Sequence, residues 1–171
     1  MSEKRLEMFG PISIPCDVDG KKKCILDQNV KEFWNDTIAQ QMEKKQGCYI
    51  FALKAGHGYT PWYIGKTTKT FKQESFALHK IKKYNECLWG GKKGTPVMFF
   101  IALPGHRNKV PALVIKDIEK FLIQSAALKN PNILNSHHTK NLPQWSIKGV
   151  VRGGKGKPSD SCQRFKLMMR L

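Results

Sequence analysis

The sequence predicts a small α/β protein of the α+β kind, in which a three-stranded, mainly antiparallel sheet is flanked by helices. Three stretches predict it. Two apolar, strand-like runs surround a Gly/Pro-punctuated reversal within residues 47–65, a continuous apolar run occupies 96–103, and a long helical pattern fills 112–129.

In chain order, residues 11–26 (PISIPCDVDGKKKCIL) read as a short hairpin turning at Asp19-Gly20, because Asp-Gly accepts the positive φ that such turns need. Asn29-Val30-Lys31-Glu32 has the reciprocal pattern of a capped helix start. Val30, Phe33, Trp34, Ile38 and Met42 then recur at helical intervals, so one helix over about 30–45 is expected.

Cys48-Tyr49-Ile50-Phe51-Ala52-Leu53 and Trp62-Tyr63-Ile64 are rich in β-branched and aromatic residues and favour strands. Gly56, Gly58 and Pro61 reverse the chain between them, giving a hairpin with a long loop that sets Tyr49 and Tyr63 side by side. Residues 70–84 return to a helical period, with Phe71, Ser75, Phe76, Leu78 or His79, and Ile81 on one flank. Lys72, Lys80, Lys82 and Lys83 are expected to point outward.

A basic glycine-rich loop (WGGKKGT, 89–95) leads to the 96–103 run, which fits a strand buried on both faces. In the 112–129 helix Ile115, Ile118, Leu122, Ser125 and Ala126 form the inner flank, and Asn130-Pro131 stops it. Residues 132–135 read as a short return toward the sheet. Over the last two dozen residues Gly149, Gly153, Gly154, Gly156 and Pro158 then mark a flexible arm, in which Asp160 is the one acid among seven lysines and arginines from Lys148 to Arg170. The expected boundaries are an N-terminal hairpin-helix extension at 1–45, a core domain at 46–136 and a basic arm at 137–171.

Thirty Lys and Arg against thirteen Asp and Glu give a net charge of +17 over 171 residues, with a pI near 9.8. Such an excess implies a polyanionic partner, DNA or RNA, rather than solubility alone. No run reaches the length of a membrane span, and MSEKRLEMFG lacks the apolar core of a secretory signal, so no membrane partner and a cytoplasmic location are expected. Five scattered cysteines without a C-x-x-C pair fit reduced thiols. The histidines do not fall at zinc-ligand spacing with a cysteine pair.

Gly47-Cys48-Tyr49 and Tyr63-Ile64-Gly65 resemble the paired signature of the GIY-YIG nuclease family, with Cys48 in place of the usual isoleucine. The resemblance extends to Glu119, on the 112–129 helix where the family has a metal-binding glutamate, and to Asn135, where it has an asparagine. It covers residues 47–135. One position departs: the helical arginine that contacts the scissile phosphate in the family is matched here by Glu74.

The resemblance implies an endonuclease dependent on Mg2+ (or Mn2+) that hydrolyses phosphodiester bonds in DNA, with RNA left open. Tyr49 would deprotonate or position the attacking water, its acidity increased by a nearby cation or metal. Tyr63 would orient water or phosphate, Glu119 would hold the metal, Asn135 would hydrogen-bond within the site, and Gly65 would let the backbone approach substrate. Lys66 or Lys80 would replace the missing arginine. Outside the resemblance, Lys155 and Lys157 in the 153–158 run would add cationic contacts from the arm, of the kind that follow an A·T-rich minor groove. The chemistry explains the need for charge. General-base assistance lowers a barrier by roughly 3 to 5 kcal/mol, so fixed cations and a metal must stabilise much of the developing phosphate charge. One metal site cuts one strand per encounter, so cutting both strands would need a homodimer, which the sequence leaves open. Two other readings stay open beside it: a nucleic-acid-binding module of the same fold without cleavage, and a basic protein with an acidic protein partner.

Overall fold

The structure, a computed structural model, describes residues 6–20, 22–105, 109–140 and 157–169. It divides into two compact units, Met1–Thr139 and Lys140–Leu171. In the first, β1 (Glu7–Ser13), β2 (Asp17–Asp19) and β3 (Lys22–Cys24) precede two short helices, α1 (Asp27–Phe33) and α2 (Thr37–Met42). The hairpin of β4 (Gly47–Ala55) and β5 (Gly58–Thr67) follows, then α3 (Phe71–Glu74), α4 (Leu78–Trp89), β6 (Thr95–Ala102) and α5 (Ala112–Lys129). In the second unit, α6 (Asp160–Met169) replaces part of the expected flexible arm with helix, and Ser159 accepts at its start from the Cys162 and Gln163 amides.

The main sheet has four strands rather than three, in the order β1-β6-β4-β5, every neighbouring pair antiparallel. The extra strand is β1, which pairs Glu7 with Ala102 and Ser13 with Val97. Pro11 and Gly10 hide it from sequence, since both are poor strand residues. Of the expected 11–26 hairpin, only Asp17–Cys24 is formed, turning at Asp19-Gly20 with Gly20 at φ +60°.

β4 is buried on both faces. Tyr49, Phe51 and Leu53 pack with Met98 and Phe100 of β6 against Phe33, Met42, Phe71, Phe76 and Tyr84 from α1–α4 and the link after α3. Cys48 on the opposite face packs with Ile115 of α5, Leu103 and Val110. The alternation of side chains along a strand thus divides the core into two clusters, one on each side of the sheet.

Three elements differ from expectation for local reasons. The 30–45 helix is two, because the Asp36 carboxylate accepts from the Ile38 and Ala39 amides and starts a new helix; Asn29 sits inside the first turn of α1, where its Oδ1 takes the Leu26 amide. The 70–84 helix is also two. Lys80 Nζ and Tyr84 Oη donate to the Glu74 and Ser75 carbonyls, which a continuous helix would use itself. This turns α4 so that Lys80 is buried while Leu78 and His79 face solvent, a correction to the expected flank. The β4–β5 connection is tight rather than long, with Ala55 opposite Gly58 across Gly56-His57 and Gly56 at φ +58°. The surplus length lies instead in a bulge, where Phe51 faces Tyr63 and Ala52 faces Pro61, leaving Trp62 over.

Residues 130–135 run back along the outer edge of β5. The Leu134 amide donates to Trp62 O (2.8 Å), Asn130 Nδ2 to Pro61 O (2.8 Å), and Asn135 clasps Ile64. An edge that would otherwise expose unpaired backbone groups is covered.

Candidate functional site

The β4–β5 register puts Tyr49 opposite Gly65 and Phe51 opposite Tyr63, so both tyrosines lie on the α3–α4 side of the sheet. Lys66, opposite Cys48, lies on the α5 side with Glu119. Because β5 is the edge strand, these two faces meet around it. There Tyr63, Lys66, Lys83, Glu119 and Asn135 line one cavity of about 180 Å³, together with Ile123 and the loop residues Ser136, His137 and His138.

Lys66 and Glu119 are paired across this cavity, with the Glu119 side chain 13% exposed and that of Lys66 40% exposed. Lys83 holds its ammonium 5.3 Å from the Tyr63 ring centroid. Asn135 accepts from the Ile64 amide (2.9 Å) and donates to its carbonyl (2.7 Å), so it fixes the loop to β5. Burial, then the charges of Glu119 and Glu74, push the Tyr63 phenol above its usual range, so Tyr63 enters neutral pH as a protonated hydrogen-bond donor.

Tyr49 lies beneath this site rather than on it. It is fully buried, its ring is 6.4 Å from that of Tyr63, and its hydroxyl has no hydrogen-bond partner. A Cβ at Gly65 would come within 2.7 Å of Tyr49 Cε2, so Gly65 makes room for this ring. Burial, followed by Tyr84, Tyr63, Glu74 and Glu119, raises the Tyr49 phenol strongly, which corrects the expectation of an acidified tyrosine.

Lys80 is also turned inward. Its Nζ donates to Glu74 O (2.8 Å) and Oε1 (2.6 Å) and sits 5.1 Å from the Tyr49 ring centroid. Glu74 therefore does not stand as a solvent-facing acid: the Lys80 hydrogen bond holds its carboxyl low. Lys80 itself is lowered by burial in spite of the same bond, so desolvation outweighs the pairing for the lysine.

The structure thus gathers Tyr63, Lys66, Glu119 and Asn135, and leaves Tyr49 and Lys80 in the core beside them. Lys157 belongs to the second unit, and Lys155 lies outside the described residues. Lys83, His137 and His138 are additions. Lys83 is masked in sequence by its neighbouring lysines, whereas the histidines could be suspected only from standing two and three places after Asn135. His138 adopts φ +61°, uncommon for a side chain of its size.

Among the described residues no three His, Cys, Asp or Glu side chains group together as a metal site. Glu119 alone offers an anionic oxygen in the cavity. That set fits Mg2+ or Mn2+ in the limited sense that such ions bind through one or two carboxylates with waters and substrate phosphates, and then only once Lys66 releases the carboxylate. No helix among the described residues is long and apolar enough to cross a membrane. No family model, no curated protein and no solved structure matches the chain.

Proposed function

We propose that the chain is a GIY-YIG-like endonuclease that binds DNA and hydrolyses a phosphodiester at the edge of β5. The observation that carries this reading is the convergence of Tyr63, Lys66, Lys83 and Glu119 from β5, α4 and α5 on one small cavity. Two cations, one phenol and one carboxylate are the groups that phosphate binding and water positioning require, and the net charge of +17 supplies the long-range attraction.

In this mechanism Lys66 exchanges Glu119 for a phosphate oxygen, and Lys83 approaches the same phosphate from α4. Their charge offsets what develops on the phosphoryl oxygens. The protonated Tyr63 hydroxyl donates to phosphate or orients the attacking water, while Asn135 keeps Ile64 and its neighbour Tyr63 in register. A divalent ion held by Glu119 would supply further neutralisation of the phosphate and leaving oxygen. Tyr49 acts by packing, as the support of Gly65 and Tyr63.

A second reading, nucleic-acid binding without cleavage, is favoured by one observation: Lys66 already occupies the carboxylate that a metal needs, and an acid, Glu74, stands where the resemblance calls for arginine. Duplex binding by filter retention and nicking of supercoiled plasmid with Mg2+, measured on the same preparation, separate the two. Binding with nicking that Glu119→Ala removes supports the nuclease; binding with no nicking supports the module; no binding at low salt overturns both.

A further inference from the structure

The first unit also holds a cavity larger than the one beside Glu119. It is an open groove of about 880 Å³ on the other flank of α4, lined by Ile25, Leu26, Leu78, Ile81 and Trp89, with Asp27, Gln28, His79 and Lys82 among its polar groups. Leu78 is 83% and Trp89 49% exposed, and here the two stand on one helix at one groove. Trp89 is followed by the exposed Lys92 and Lys93 in the Gly90–Gly94 loop, and Lys82 and His79 stand on its own helix. Two carboxylates stand near them: Asp27 lines the groove, and Glu86 is exposed on α4 three residues before Trp89.

We infer that this groove takes an unpaired nucleobase, stacked on Trp89, from the same DNA strand whose phosphate lies at the Glu119 cavity. The inference rests on the nucleic-acid reading above and adds a second contact to it. Charge favours this occupant: Lys82 lines the groove with the exposed Trp89, so the indole face can take a base and the lysine a flanking phosphate. The Lys92 ammonium lies over Trp62 (5.2 Å), and the net charge of +17 draws the strand in. Continuity favours it too. Consecutive residues of α4 divide between the cavities, Lys82 in the groove and Lys83 beside Tyr63 and Glu119. The helix is ~10–12 Å across with its side chains and rises ~9 Å over the six residues from Lys83 to Trp89, a span of ~14 Å or about four nucleotides of a strand at ~3.4 Å each. A base unpaired roughly four nucleotides from the bound phosphate reaches Trp89. The protein therefore prefers bulged, gapped or branched DNA over a continuous duplex.

The test uses the full chain and two hairpin DNAs at low salt, one fully paired and one with a three-nucleotide bulge containing 2-aminopurine. The wild type is expected to bind the bulged DNA more tightly and to quench the 2-aminopurine. Trp89→Ala should remove the quench and weaken the bulged complex by about 5- to 150-fold, leaving the paired complex unchanged. Trp89→Phe should keep part of both effects, and Leu78→Asp, at an exposed position, should weaken the bulged complex without touching the core. Equal binding of both DNAs by the wild type and Trp89→Ala overturns the inference. So does a dimer in sedimentation that Leu78→Asp dissolves, which would make a second copy the occupant. Quenching without plasmid nicking upholds the base site while removing the nuclease; no binding of either DNA removes both.

Discussion

The Tyr49 ring lies against Gly65 across the β4–β5 ladder, with its hydroxyl sealed in the core and no group to bond. Two residues of the paired signature, one from each triplet, are thus a packing pair. Gly65→Ala drives a methyl group into the ring, and overpacking of this kind costs about 1 to 3 kcal/mol. Urea denaturation should show a lower midpoint at an unchanged slope. Tyr49→Phe removes a buried hydroxyl that makes no bond, so its stability should equal that of the wild type or exceed it by about 1 kcal/mol.

Asn135 makes two hydrogen bonds to Ile64, at 2.9 and 2.7 Å. Asn135→Ala should cost about 2 kcal/mol, at roughly 1 kcal/mol per bond, and free the 130–135 segment from β5. Hydrogen exchange at the Ile64 amide should quicken well before that of β4. Unchanged exchange there would mean the segment is held by other contacts.

The Glu74–Lys80 pair makes a prediction with a sign in pH. Glu74 is held below its ordinary pKa, so its contribution is present above the unfolded carboxyl value of about 4.3 and fades as pH falls through the folded value. Lys80 is lowered as well, so its buried charge is a cost at neutral pH, relieved as pH rises through its folded value toward the unfolded ~10.4. Glu74→Gln weakens the pairing of a lysine whose side chain is 5% exposed; with the glutamate itself 33% exposed, the loss should be about 2 kcal/mol. Lys80→Met should cost less, since it removes the buried charge with its partner left near solvent.

Lys66 and Lys83 should each release about one counterion on binding DNA. Alanine at either position is expected to shallow the slope of log affinity against log salt by about 1, uniformly across sequences. An unaltered slope for both would place the phosphates elsewhere on the surface.

The α5 helix is legible in sequence because its apolar period is long and Asn130-Pro131 ends it, and β6 because its apolar run is unbroken. The breaks after Phe33 and Glu74 are not, since they depend on Asp36 capping a new turn and on Lys80 and Tyr84 reaching back to carbonyls six and nine residues away. The site is legible in part for the same reason. The partnership of Glu119 with Tyr63 follows from a strand next to a helix, but whether a tyrosine faces cavity or core depends on its strand's place in the sheet: Tyr49 is on the inner strand β4 and Tyr63 on the edge strand β5. Lys80 and Lys83, three apart on one helix, go to different fates because Lys80 is drawn back to the Glu74 carbonyl and carboxylate while Lys83 reaches the Tyr63 ring at the edge of the sheet.

The central claim is that chemistry occurs in the cavity holding Tyr63 and Glu119, with Tyr49 as its support. Supercoiled plasmid and Mg2+ incubated in parallel with wild type, Tyr49→Phe, Tyr63→Phe and Glu119→Ala test it most directly. The account predicts nicking by the wild type and by Tyr49→Phe at similar rates, and rates lower by at least about a hundredfold for the other two. Nicking retained by Tyr63→Phe and Glu119→Ala, or lost with Tyr49→Phe alone, would contradict it.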